Sequence, residues 1–130
     1  MSATVTPIAD AHARHAATDA ARPASAPAPA PLAWFDGALV PGDTLQAGLT
    51  THAMHYGSGV FEGVRAYATD DGAAVFRLPE HLERMRRGAD MFGLPFDPAQ
   101  ATDAVLATLR ANGHRDAYIR PLAWFGEGGF

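Results

Sequence analysis

HYGSGVFEGVRAY, residues 55–67, is the stretch on which the fold turns. From Ser58 to Tyr67 it reads as a strand whose side chains alternate between two faces. Val60, Glu62, Val64 and Ala66 share one face, and Phe61, Gly63, Arg65 and Tyr67 share the other. A face that sets Phe and Arg around a glycine can be a pocket wall, with apolar contact from Phe61, anion contact from Arg65 and room for a ligand at Gly63. It can equally be a solvent-facing edge with an aromatic resting on it, and alternation alone leaves both readings open. Gly57 and Gly59 fit a tight loop entering the strand. GSG is too short and generic to count as a phosphate loop.

Outward from this strand, Asp70-Asp71-Gly72 marks a turn and AAVFRL (73–78) a second strand, so the two form a hairpin. A helix is expected from Pro79 to about Phe92, with Leu82, Met85, Ala89 and Phe92 as its apolar stripe. Asp97-Pro98-Ala99-Gln100 starts a second helix, with Ala101, Val105 and Leu109 inward and Asn112-Gly113 ending it. A last strand, DAYIRPLAWF (116–125), runs into Gly126, Gly128 and Gly129. On the N-terminal side, AWF-DG-ALV around Asp36-Gly37 is a two-residue hairpin. The order predicts an α+β domain, a mostly antiparallel sheet covered by two helices. Residues 1–32, rich in Ala and Pro, are expected to form a disordered tail, because they lack the large apolar residues that would offset the entropy of ordering.

Several residue groups can carry chemistry. Tyr118 and Arg120, two apart on the last strand, project to one side. A guanidinium beside a phenol suits a carboxylate, since both donate hydrogen bonds to oxygen, although a plain cross-strand surface contact gives the same pattern. Pro121 beside them suggests an edge or bulge. His52 and His55 lack a third metal ligand at suitable spacing, so no metal is expected. Arg84, Arg86 and Arg87 read as a solvated basic face, with Glu80 and Arg84 spaced as an i, i+4 ion pair.

Composition narrows the class. The chain has 130 residues, 48% of them hydrophobic, and a net charge of −4, which argues against a nucleic-acid binder. No cysteine is present, so disulfides and thiolate metal sites are ruled out and a reducing cytosol fits. No stretch reaches the roughly 18 apolar residues of a membrane span, and the N-terminus lacks the apolar core of a secretory signal. All ten basic residues are arginine. Without lysine, no side-chain amine exists to form a Schiff base.

At HYGSGVFEGVRAY the chain resembles the class-IV, fold-type-IV pyridoxal-phosphate aminotransferases, with the branched-chain amino-acid transaminases as the closest subgroup. The resemblance continues through WFDGALV (34–40), FRLPEHLERM (76–85) and AYIRPLAWFGEG (117–128) and covers nearly all of residues 33–130. It implies the small N-terminal domain of such an enzyme, truncated before a second domain that carries the lysine, so no catalytic residue is expected within the chain. It implies that Arg84 holds the phosphate of pyridoxal 5′-phosphate and that Phe61 and Arg65 lie near the substrate pocket. Tyr56 would reach the active site of a partner subunit in a homodimer or higher oligomer, and Tyr118 with Arg120 would admit the side-chain carboxylate of glutamate. The implied reaction moves an amino group between leucine, isoleucine or valine and 2-oxoglutarate, in the cytoplasm. Two alternatives stand beside it: an inactive remnant that binds a small anion or a partner, and another fold-type-IV transaminase or lyase.

Overall fold

The structure, a computed structural model, describes residues 30–127. The expected tail lies outside the described residues up to position 29, as do Gly128 and Gly129. Asp36 and Gly37 take φ of 48° and 94°. Positive φ at both central residues is what a type I′ turn needs, so β1 (Leu32–Phe35) folds back on β2 (Ala38–Pro41) with Phe35 opposite Ala38. β1 begins one residue ahead of the expected boundary because Asn112 grips Leu32 from both sides. The Leu32 N–H donates to Asn112 Oδ1, and Asn112 Nδ2 donates to the Leu32 carbonyl, each at 2.8 Å.

A 3-10 turn at Gly42–Thr44 leads toward α1 (His52–Tyr56), closed by Gly57 at φ 64°. Five residues are too few to display a helical stripe, so no periodicity in the sequence marks this helix. Tertiary contacts hold the helix instead: the His52 and Ala53 N–H groups donate to the carbonyls of Gly126 and Phe125, satisfying donors that a helix N-terminus leaves open.

Each of the two long strands expected is broken in two. Residues 58–67 supply β3 (Gly59–Phe61) and the start of β4 (Val64–Thr69), while 116–125 supply β6 (Ala117–Ile119) and β7 (Leu122–Trp124). The breaks face each other. Phe61 pairs with Leu122 on one side and Val64 with Ile119 on the other, and between them the Glu62 N–H donates to the Pro121 carbonyl at 3.0 Å. Pro121 has no N–H to continue a ladder, and Gly63 bends without side-chain cost, so both strands kink at one level. Three small antiparallel sheets result, β1-β2, β3-β7 and β5-β4-β6. β5 (Gly72–Val75) ends three residues short of expectation. Arg77 turns the chain at φ 48°, and α2 (Leu78–Phe92) starts one residue before Pro79.

The α+β class holds, with two helices over antiparallel sheet. Val64 and Ala66 of β4 meet Leu78 and Leu82 of α2, and Val105 and Leu109 of α3 (Pro98–Ala111) complete the cluster. Asp97 caps α3 as expected, its Oδ1 accepting from the Ala99 N–H at 2.8 Å. Gly88 lets α2 approach β3, where a Cβ would stand 3.1 Å from Val60 Cγ1. Phe92, expected in the buried stripe of α2, is exposed. The helix ends there, Gly93 reverses the chain at φ 69°, and buried Leu94 folds back with its N–H on the Ala89 carbonyl. Among the described residues, no helix is long and apolar enough to cross a membrane.

Candidate functional site

The opposed kinks at Glu62-Gly63 and Arg120-Pro121 organise the polar chemistry, and the two faces of the bent strand carry different groups. On the outward face, Arg65 lies opposite Tyr118 in the β4-β6 register. Tyr118 lies across Gly63 so closely that a Cβ there would sit 2.4 Å from the phenol oxygen. Arg120 Nη2 donates to that oxygen at 2.8 Å. The same guanidinium carbon stands 4.5 Å from the ring centroid of Phe61 and 5.3 Å from that of Tyr118, an aromatic bracket that holds a cation in place. Phe61 and Tyr118 are both more than half exposed. A phenol, a guanidinium and an apolar ring thus share one open surface.

Arg65 stands one step along this face, opposite Tyr118. It pairs with Asp116, a residue the sequence reading passed over, and its guanidinium carbon lies 5.8 Å from the ring of Tyr67. Tyr56 is placed elsewhere, on α1, with its ring 4.5 Å from that of His52. The two histidines of α1 make hydrogen bonds. His52 Nδ1 and Ser58 Oγ lie 2.6 Å apart, and His55 Nε2 donates to the Leu49 carbonyl at 2.8 Å. Among the described residues, no group of three His, Cys, Asp or Glu side chains is arranged to hold a metal ion.

Arg84 belongs to the other face. Instead of the expected pairing with Glu80, which bonds Arg77, it pairs with Glu62 of the kink. Arg84 Nε donates to Glu62 Oε1 at 2.5 Å and Nη2 to Oε2 at 2.6 Å, a two-pronged fit of guanidinium to carboxylate. Glu62 is 5% exposed whereas the Arg84 side chain is 71% exposed, so the pair runs from the core to the surface. His81, one turn before on α2, adds a third contact between Nδ1 and Glu62 Oε2 at 3.0 Å. An ionised carboxylate only accepts, so Nδ1 carries the proton. Among the described residues, nothing takes the other three of the five N–H groups of Arg84. That donor set fits an anion with several oxygens, such as a phosphate. Glu62 and His81 were missed as site residues, yet a signal existed: a carboxylate standing among Val60, Val64 and Ala66 on an inward face needs a partner.

The Arg84 bonds, followed by that from His81, outweigh burial and hold the Glu62 carboxyl at about 2 against its ordinary 4.5. A lowered folded-state pKa stabilises the fold above the unfolded value, and that stability is lost as pH falls from about 4.5 towards 2. Because Arg84 lies in solvent, screening trims the effect to about 1–2 kcal/mol. Urea unfolding at pH 5 and pH 3 should therefore show a larger loss in the parent chain than in Glu62→Gln. Parallel losses in the two would show that another group titrates. The pairs of Glu83 with Arg86 and Arg87 lie in solvent on α2 and contribute little.

The family described as "Amino-transferase class IV" matches residues 59–130. A branched-chain-amino-acid aminotransferase of Pseudomonas aeruginosa is 41% identical over 98 residues, which are 74% of this chain and 32% of that protein. Among solved structures, the branched-chain amino acid aminotransferase from Escherichia coli superposes with a TM-score of 0.73 at 34% identity, covering 78% of this chain and 34% of that one. The branched-chain aminotransferase from the archaeon Thermoproteus uzoniensis, solved with norvaline, gives a TM-score of 0.70 at 40% identity, covering 74% of this chain and 33% of that one. The chain therefore spans about a third of the length of the relatives it matches.

Proposed function

The chain belongs to the class-IV amino-transferase family, and from that premise we propose that residues 33–130 are the N-terminal domain of a branched-chain amino-acid transaminase. The proposed reaction moves an amino group between leucine, isoleucine or valine and 2-oxoglutarate. One observation carries this reading: Arg120 is held at once by the Tyr118 hydroxyl and over the Phe61 ring. Phe61 offers an apolar surface to an alkyl side chain, while Tyr118 and Arg120 offer donors to the second carboxylate of glutamate. One pocket thereby takes two unlike substrates. Arg65, beside them, adds positive charge near the pocket, tempered by Asp116.

Arg84 would bind the phosphate of pyridoxal 5′-phosphate through the N–H groups that Glu62 leaves untaken. When bound, that cofactor supplies an electron sink for the substrate Cα–H bond. The lysine amine that such chemistry needs has to come from polypeptide outside these 130 residues, since the chain has none. Tyr56, exposed on α1, is proposed to serve the active site of a second subunit in a homodimer, in the cytoplasm.

The test is a chimera in which residues 33–130 replace the matching third of the Pseudomonas aeruginosa relative. It should exchange amino groups between branched-chain substrates and 2-oxoglutarate. Arg120→Ala in that chimera should raise KM for 2-oxoglutarate roughly tenfold, as expected for loss of a charged hydrogen bond, and should change KM for leucine much less. Equal rises for both substrates would remove the carboxylate role from Arg120. A chimera that loads cofactor but transfers only to other amino acids would overturn the branched-chain assignment.

A further inference from the structure

We propose that Glu62 is a positioning residue for the anion bound by Arg84, fixing the guanidinium from beneath so that its outer donors face a phosphate already aligned. The inference rests on the reading of Arg84 as the phosphate-binding group. Its basis is geometric. Glu62 is buried at the strand kink, and its main chain is tied to Pro121 across that kink. Its carboxylate takes the Nε and Nη2 edge of Arg84. His81 holds Oε2 from the same helix that carries Arg84. What remains on Arg84 is the fork between Nη1 and Nη2, whose spacing suits two oxygens of one phosphate.

Two effects of Glu62 on anion binding oppose each other. Its negative charge partly cancels that of Arg84 and weakens attraction for a phosphate. Its hydrogen bonds restrain an otherwise exposed, rotamer-rich side chain, removing most of the entropy cost of ordering it on binding. Most of the Arg84 surface lies in water, where the charge term is screened and the ordering term is not. Ordering therefore dominates, and removal of Glu62 weakens anion binding although it makes the site more positive.

The opposite signs of the two effects make the test decisive. The probe is inorganic phosphate, titrated into the full 130-residue chain at constant ionic strength while the Arg84 Nε–Hε resonance is followed by NMR. In the parent chain that resonance should be sharp and rigid on the nanosecond timescale. Glu62→Gln should loosen it and weaken phosphate binding about tenfold, with amides of the Val64–Leu82–Leu109 core unshifted. Glu62→Asp keeps the charge but retracts the carboxylate by one methylene, so it should resemble Glu62→Gln.

Tighter or unchanged phosphate binding in Glu62→Gln, or parent-like binding in Glu62→Asp, would overturn the positioning role. A mobile Arg84 resonance in the parent chain would overturn it without any substitution, so the proposal stays testable even if Glu62→Gln fails to fold. Arg84→Gln separates the two levels. If it still binds phosphate, the phosphate reading of Arg84 fails and this inference with it. If it loses binding while both Glu62 variants keep it, only the positioning role fails.

Discussion

Supplied with pyridoxal 5′-phosphate, leucine and 2-oxoglutarate, the 130-residue chain on its own should transfer no amino group above the uncatalysed rate. The expectation is chemical. A transaminase needs a side-chain amine that can lose its proton, bond covalently to the cofactor and then carry a proton between two carbons. All ten basic side chains here are arginine, and a guanidinium does not deprotonate in proteins. Enzymes exceed the uncatalysed rate by at least about 10⁶-fold, so losing the group that performs both tasks drops the chain to background. The phosphate anchoring proposed for Arg84 does not depend on that amine, so reversible cofactor binding should survive where turnover does not. A coupled glutamate assay measures the rate, and borohydride reduction followed by intact-mass measurement detects covalent attachment. A cofactor adduct other than one on the N-terminal amine, surviving dialysis, would contradict the expectation.

Leu82→Ala should cost about 3 kcal/mol, a large share of the stability of a domain this size. Leu82 is fully buried and, with Val64, is one of the two largest side chains completely removed from solvent among the described residues. It packs between β4 and α3, among Val64, Ala66, Val105 and Leu109, where fixed backbone on both sides prevents collapse into the void. The melting temperature should fall by roughly 10–20 °C. Arg84 and His81 ride on the same helix, so the loss should also loosen the grip on Glu62. Met91, on α2 but almost wholly exposed, provides the control, with a change within about 0.5 kcal/mol in Met91→Ala. Guanidinium unfolding of both variants reads the contrast. Similar midpoints would mean that α2 is not anchored through its inner stripe.

Local chemistry made much of the fold legible before any coordinates. Asp36-Gly37 names its turn, because few other pairs tolerate two consecutive positive φ values. Asp97-Pro98 announces a helix start, and the spacing of Leu82, Met85 and Ala89 announces its buried side. The alternation from Val60 to Tyr67 placed Phe61 and Arg65 on one face and Glu62 on the other, and Tyr118 with Arg120 on one side of a later strand. The structure keeps that sorting. Each of these signals is contained within a few residues, where backbone stereochemistry and periodicity act.

What the tertiary structure decided involves residues distant in sequence. The paired kinks exist because Pro121 happens to face Glu62 across a ladder, and neither residue alone shows where a strand will break. Helix α1 is held by the carbonyls of Phe125 and Gly126, and β1 by Asn112, 80 positions away. The helical spacing of Glu80 and Arg84 suggested a local ion pair, but a buried carboxylate 22 positions back took the arginine. A charge inside a core has far more to gain from a partner than a charge already in water. Residue order alone therefore determined the N-terminal hairpin, the two long helices, the strand faces and the missing amine. Register and burial decided which cation meets which anion, because electrostatic pairing depends on distance and solvent exposure, and both are set only when the strands and helices close on one another.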